Sequence, residues 1–190
     1  MNGAEDTVRM PILTEPTTAV HRSFLAAWDE LEPEDGHWMG VHAYGDGEEE
    51  WSRDRAEDPA EFARLVEALT ADARPETVLP PDIVHQTMLW FVEGAEWLGR
   101  LAIRHRLTPA LTELGGHIGY VVRPSARGRG HATRMLVRSL PTAARLGIDP
   151  ALVTCDVDNV GSRRVIEAAG GELEDERHGK LRFWVPTHLA

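Results

Sequence analysis

The chain is poor in two reactive side chains, with one cysteine, Cys155, and one lysine, Lys180, in 190 residues. A single cysteine excludes an internal disulfide, and its place inside an apolar run predicts a packed thiol rather than a nucleophile. The lone lysine is nowhere near the Arg127–Gly130 stretch, which argues against a Gly-Lys-Ser/Thr loop of the nucleotide-hydrolysing kind. Nine histidines are present, but they are scattered without ligand spacing, so no metal is expected. No apolar run reaches about eighteen residues, and the first ten residues are polar and acidic. Neither a membrane span nor a secretory leader is therefore expected, and the default location is cytoplasmic.

What the chain does contain is enough for one domain: 42% of its residues are apolar, and it has no internal repeat. Its net charge of −11 is unevenly placed, because residues 1–80 carry −13 and residues 81–190 carry +2. The basic half suits a polyanionic ligand, and the acidic half repels nucleic acid and anionic membranes. An acidic approach surface favours a cationic acceptor; alternatively, the acidic residues simply keep the protein soluble.

Val8–Leu13 reads as a first strand, and Thr17–Leu31 has helical spacing that Pro33 should stop. Residues 32–58 form a Gly/Asp/Glu-rich insert with Trp38, Tyr44 and Trp51 as apolar anchors. A helix then opens at Pro59 with Asp58 as its cap and Phe62, Leu65, Val66 and Leu69 on one face. Pro75, Pro80 and Pro81 lead into strands Gln86–Glu93, Trp97–Arg106 and Gly116–Arg123, with Thr108–Gly115 a loop or a short helical turn. A helix from about Ala132 to Gly147 should be kinked or divided by Pro141. A buried strand, Ala151–Asp156, a helix opened by Asn159, and a hairpin of Glu172–His178 with Leu181–Pro186 complete the chain. This order predicts an α/β (α+β) fold: a mixed, mainly antiparallel central sheet flanked by helices in a single domain, with residues 1–80 the variable part and 81–190 the core.

The informative stretch runs from Gly116 to Ala132, where an apolar strand gives way to an Arg/Gly loop that opens a helix. Backbone N–H groups at Arg127, Gly128, Arg129 and Gly130 fall at a helix N-terminus with no intrahelical acceptor, and two guanidinium groups stand beside them. That arrangement suits a pyrophosphate. A dinucleotide fold would place a third glycine where Thr133 stands.

With the strand Ala151–Asp156 and the Asn159-x-x-Ser162 helix start that follow, the chain resembles the GNAT superfamily of acetyl-CoA-dependent N-acetyltransferases. Its Arg/Gln-x-x-Gly-x-Gly/Ala signature matches Arg127, Gly130 and Ala132. Within that superfamily the chain is similar to a bacterial group with IRHRL, GGHIGY and TCDxDNxGS segments, here Ile103–Leu107, Gly115–Tyr120 and Thr154–Ser162, a group that fixes no substrate. The resemblance implies that the strand Gly116–Arg123 splays from Ala151–Asp156 and that acetyl-CoA, the co-substrate, lies in the gap. It would be held by Val121, Val122, Arg123, Arg127, Gly128, Arg129, Gly130, His131, Ala132, Thr133, Asn159 and Ser162. A backbone N–H near Val121 would polarise the thioester.

The tyrosine acid of many members is missing, since Ile166 and Val165 occupy that region, and the Ser162 hydroxyl or water is left to protonate the thiolate. For the base, His117 competes with Asp156; either residue could equally be structural, His117 as a satisfied strand histidine and Asp156 as a turn cap. Tyr120 lines the cleft or packs in the core. Arg104, in the Arg104-His105-Arg106 cluster, could bind an acceptor carboxylate or mark an exposed strand end. Trp38 and Trp51, near Glu48–Glu50, could form a cage for a cation or pin down the insert. The expected activity is acetyl transfer to a primary amine of a small, cationic metabolite, with no nucleic-acid or membrane partner and a homodimer left open. A peptide N-terminus as acceptor and a non-catalytic acyl-CoA sensor are the alternatives.

Overall fold

The structure, a computed structural model, describes residues 10–35, 42–43 and 49–188. Its elements follow the chain as β1 (Ile12–Thr14), α1 (His21–Asp35), β2 (His42–Ala43), β3 (Glu49–Glu50), α2 (Pro59–Ala71), β4 (Gln86–Glu93) and β5 (Glu96–Arg104). There follow β6 (Ile118–Val122), α3 (His131–Arg145), β7 (Ala151–Asp156), α4 (Val160–Ala168), β8 (Glu172–Arg177) and β9 (Lys180–Val185). Seven strands form one sheet in the order β1-β4-β5-β6-β7-β9-β8, and β2 and β3 pair separately. All neighbours in the large sheet are antiparallel except β6 and β7.

Strand alternation sends side chains into two cores, one on each face of the sheet. On one face Leu89, Phe91, Leu101 and Ile103 meet Met135, Leu136 and Leu140 of α3 and Ile166 of α4. On the other, Met88, Trp90, Val92 and Trp97 meet Phe24, Trp28 and Leu31 of α1 and Phe62, Leu65 and Leu69 of α2. Phe24 is the hub of that second core, stacked on Trp90 at 5.0 Å and edge-on to Trp97 at 5.6 Å. Because β4 is buried on both faces, its sequence is a continuous apolar run rather than an alternating one.

Local chemistry explains most boundaries. Asp58 caps α2, its Oδ1 accepting from Ala60 N at 2.7 Å and Glu61 N at 3.1 Å, with Pro59 in the first turn. The β8–β9 hairpin turns on His178 and Gly179, at φ of 51° and 75°, the pair of positive dihedrals a two-residue turn between right-twisted strands requires. Two expectations about proline are corrected. Helix α1 continues through Pro33 to Asp35, and α3 runs unbroken through Pro141. In α3 the missing backbone bond is outweighed by Leu140 and Ala143, which flank the proline and are both buried. The strand predicted to end at Arg106 ends at Arg104, and Leu111–Gly115 form a single wide helical turn.

Candidate active site

The site is made by a break in the sheet. Strands β6 and β7 share one registered pair, Ile118 with Val153, reinforced by His117 N donating to Leu152 O at 2.7 Å. Beyond that pair they part, and a cleft opens between Ile118–Val122 and Thr154–Asp156. It has two lobes, of about 360 and 630 Å³, which meet at Tyr120, Val121, Arg127, Asn159 and Ser162.

Register decides which backbone groups face the gap. At the two ends of the β5–β6 pair, Arg104 N donates to His117 O at 2.8 Å and Arg123 N to Leu98 O at 3.0 Å. Antiparallel pairs alternate between bonded and non-bonded positions, so Gly119 and Val121 also bond to β5. The N–H and C=O groups of Tyr120 and Val122 therefore point toward β7, into the cleft. The side chain of Arg127 corroborates this parity, since its Nε donates to Val122 O at 3.1 Å. The N–H groups facing the gap thus belong to the residues on either side of Val121, because Val121 is turned to its antiparallel neighbour.

The larger lobe is lined by Val121–Val122, Arg127–Gly128, Gly130–Thr133, Asn159, Gly161, Ser162 and Val165, among others. Gly128 and Gly130 adopt φ of 76° and 73°, and a Cβ on Gly128 would meet nothing within 4 Å, so the loop is a backbone-lined concavity. Gly130 precedes α3 without any side-chain cap, which leaves the first-turn N–H groups facing the lobe. A pyrophosphate fits this chemistry, and the residues present therefore suit a CoA ester. The His131 ring packs 5.5 Å from Phe91 and is buried, so His131 offers the lobe mainly backbone.

The side chains of two residues expected to hold the cofactor have partners within the protein. Arg123 is turned toward α1, where its guanidinium pairs with Glu30 and donates to Ser23 Oγ at 3.0 Å and Trp97 O at 3.3 Å. Burial raises the Glu30 carboxyl, but the bonds from Arg123 and from Ser125 N and Oγ outweigh it and hold the group at about 2. Arg129 reaches back to Ser125 O at 3.4 Å and does not line the lobe.

The smaller lobe is floored by Gly119, Val121, Thr154 and Asp156, walled by Leu31 of α1 and by Leu114–Gly115, and flanked by Arg104 and Lys180. Arg104 Nη1 donates to Gly115 O at 2.9 Å and Gly116 O at 3.1 Å, and burial lowers its pKa. Asp156 accepts from Lys180 Nζ at 2.5 Å across the β7–β9 pair. Lys180 escaped sequence reasoning, because only strand register places it opposite Asp156. Cys155 also lines this lobe, with its thiol buried and its pKa raised by that burial.

Tyr120 bridges the cleft. Its hydroxyl lies 2.7 Å from Ser162 Oγ on the first turn of α4, and burial pushes it up to about 12. Asn159 caps that helix, its Oδ1 accepting from Ser162 N at 2.9 Å. The ring of His117, in contrast, is absent from the lining of both lobes: its Nδ1 accepts from Leu152 N at 2.9 Å, and burial followed by the nearby Arg104 charge lowers its pKa. Trp51 is buried in the α1/α2 core beneath the Arg55 guanidinium, 3.6 Å from the ring centroid, so it pins the insert and forms no cage. Trp38 lies outside the described residues. Among the described residues no group of three or more His, Cys, Asp or Glu could hold a metal, and no helix is long and apolar enough to cross a membrane.

A parallel strand pair thus parts over a glycine-lined helix start, a cleft suited to an elongated, phosphate-bearing ligand. Residues 4–172 match the model of the acetyltransferase (GNAT) domain, and the chain belongs to that family of acetyl-CoA-dependent acetyltransferases. No curated protein matches it. Among solved structures, the microcin C7 self-immunity acetyltransferase MccE, in complex with acetyl-CoA and AMP, is similar at 13% identity and a TM-score of 0.58, over 93% of this chain and 92% of its own. RimJ of Mycobacterium smegmatis, in complex with CoA-disulfide, is similar at 21% identity and a TM-score of 0.55, over 94% of this chain and 86% of its own. The acetyltransferase YncA of Salmonella typhimurium, described as putative and bound to its cofactor acetyl-CoA, aligns at 12% identity and a TM-score of 0.56, over 94% of each chain. At these identities the likeness is one of fold.

Proposed function

We propose that the enzyme acetylates a primary amine of a small metabolite by direct attack in a ternary complex. The observation that supports this reading is the meeting of the two lobes at Tyr120, Val121 and Ser162, which brings a lobe suited to phosphates and a smaller acceptor lobe to the same few atoms. Leu31 and Leu114 wall the smaller lobe, and its volume of about 360 Å³ suits a metabolite better than an extended peptide.

Acetyl-CoA supplies the activated acetyl group, and the chain's own residues do the rest. Glycine amides of the Gly128–Thr133 segment and the Arg127 guanidinium hold the phosphates. The Tyr120 and Val122 N–H groups donate toward the reacting carbonyl and stabilise the charge that develops on its oxygen. Ser162 Oγ delivers a proton to the departing sulfur and is resupplied through the Tyr120 hydroxyl and solvent. At the other side, Asp156 draws in the amine and passes its proton to water. Holding both reactants in one cleft supplies much of the acceleration.

The charge polarity of the sequence favours a cationic acceptor. The smaller lobe itself carries Arg104, Lys180 and Asp156, so any cation selection arises at the approach rather than on the floor. The test is thiol release from acetyl-CoA across a panel of small amines and N-terminal peptides. Turnover confined to small amines is expected; turnover confined to peptides would replace this reading with the peptide one.

A further inference from the structure

Arg104 is a half-buried cation whose charge has no acidic partner among the described residues. Removing a guanidinium from water without a counter-ion is costly, and proteins ordinarily pair such a group. Here its bonds go to two neutral carbonyls, Gly115 O and Gly116 O, both through Nη1. The other edge of the fork, Nε and Nη2, has no acceptor among the described residues and presents two parallel donors. Gly119 lies directly beneath the group: a Cβ there would be in ordinary contact with Nη1 at 3.7 Å and Nη2 at 3.8 Å. The guanidinium is thus fixed from behind, stands over β6 and borders the smaller lobe.

Its surroundings deepen the imbalance. Arg100 lies four residues earlier on the same face of β5, close enough that Arg104's charge, after burial, helps lower its pKa to about 10. Lys180 stands across the lobe, and the carboxylate present there, Asp156, is already engaged by it. On the remaining side His117 is half-buried and disfavoured as a cation by burial and by Arg104.

We infer that Arg104 binds a carboxylate on the acceptor, making this a transferase for small amino acids in which acid and amine lie a few bonds apart. The fork matches a carboxylate in shape and charge. The spacing follows from β6: from Gly119, beneath the guanidinium, to Tyr120 and Val122 is one to three residues, or about 3–10 Å of strand. A carboxylate at Arg104 therefore sets an amine near the N–H groups that would face the thioester. This inference rests on the acyl-transfer reading of the cleft.

The experiment pairs each acid with its neutral amide: glycine, β-alanine and 4-aminobutyrate against glycinamide, β-alaninamide and 4-aminobutyramide, with aminomethylphosphonate as an added arm. Thiol release is followed with acetyl-CoA, and calorimetry follows binding of the same compounds to the protein saturated with CoA. The expected result is that at least one acid exceeds its amide by about 100-fold in kcat/KM or in affinity, and that Arg104→Gln abolishes this preference while acetyl-CoA affinity is retained. Arg104→Lys, which keeps the charge and a donor for the Gly115 and Gly116 carbonyls, should retain part of it. Acids and amides that behave alike in both assays overturn the proposal, as does a preference that survives in Arg104→Gln. A stronger response to the phosphonate than to every carboxylate overturns the carboxylate assignment. Loss of acetyl-CoA binding by the unmodified protein would instead overturn the underlying acyl-transfer reading, so the two failures are distinct.

Discussion

The hydroxyl of Tyr120 and the Oγ of Ser162 lie 2.7 Å apart, joining the free edge of β6 to the first turn of α4. Burial keeps the phenol protonated through neutral pH, with its pKa pushed up to about 12, so Tyr120 can return a proton to Ser162 without titrating. Ser162→Ala should lower kcat by about 100-fold with little change in acetyl-CoA affinity, the signature of a group acting on the leaving atom. Single-turnover kinetics with saturating acetyl-CoA check this, and an unchanged kcat would remove the acid role. Tyr120→Phe should produce a smaller loss in the same parameter.

Glu30 ties α1 to the end of β6, accepting from Arg123 and from Ser125 N and Oγ, 95 residues further along the chain in the latter case. Its carboxyl is held at about 2 against an ordinary 4.5, so its contribution to stability is present above pH 4.5 and is lost as pH falls from 4.5 toward 2. Glu30→Gln should flatten that acid limb. At neutral pH it should cost about 2 kcal/mol, which lowers the melting temperature by roughly 4–8 °C in a domain of this size. Thermal melts across pH test both effects.

His117 ties the closed end of the cleft to β7 through its Nδ1. His117→Ala should destabilise the fold by about 1–3 kcal/mol, because Leu152 N loses its acceptor, while the pH–rate profile keeps its shape. Since the native pKa lies below 6.5, the histidine's contribution is present above pH 6.5 and declines as pH falls further, when the unfolded chain takes up a proton first. A rate profile that loses a limb in the variant would restore His117 as the base.

Gly130→Glu should weaken acetyl-CoA binding by at least about 100-fold, since it places a carboxylate where phosphate oxygens would sit and asks an L-residue to hold a φ of 73°. Calorimetry with acetyl-CoA measures the loss, and circular dichroism checks that the fold persists. Undiminished affinity would dissociate the loop from the cofactor.

Much of this was legible from local chemistry. Asp58-Pro59 announces a helix start, Asn159-x-x-Ser162 announces another, and the glycines at 128 and 130 mark a loop that no side chain fills. The reach of Arg123 was not legible, because its partner Glu30 lies 93 residues upstream on a helix whose docking only the tertiary structure sets. The facing of β6 was hidden for a different reason. A strand's sequence reports which side chains are buried, but which backbone groups point to which neighbour depends on register, and register turned the cleft-facing N–H groups from Val121 to Tyr120 and Val122. The same register dependence concealed Lys180, whose partner is fixed only when β7 and β9 align.

At the point where β6 and β7 still touch, Gly116 adopts a φ of 64° and a Cβ there would sit 2.6 Å from Leu152 O. The sheet therefore behaves like an open book whose spine is stitched at one end by a residue that tolerates no side chain. The pages, β1-β4-β5-β6 on one side and β7-β9-β8 on the other, part beyond that stitch while sharing one core beneath α3 and α4. A ligand lying between them along the exposed edge of β6 would act as a missing strand. Occupancy would then fill the gap between the pages and bring the ligand's end to the residues shared with the smaller lobe, where the second reactant would lie.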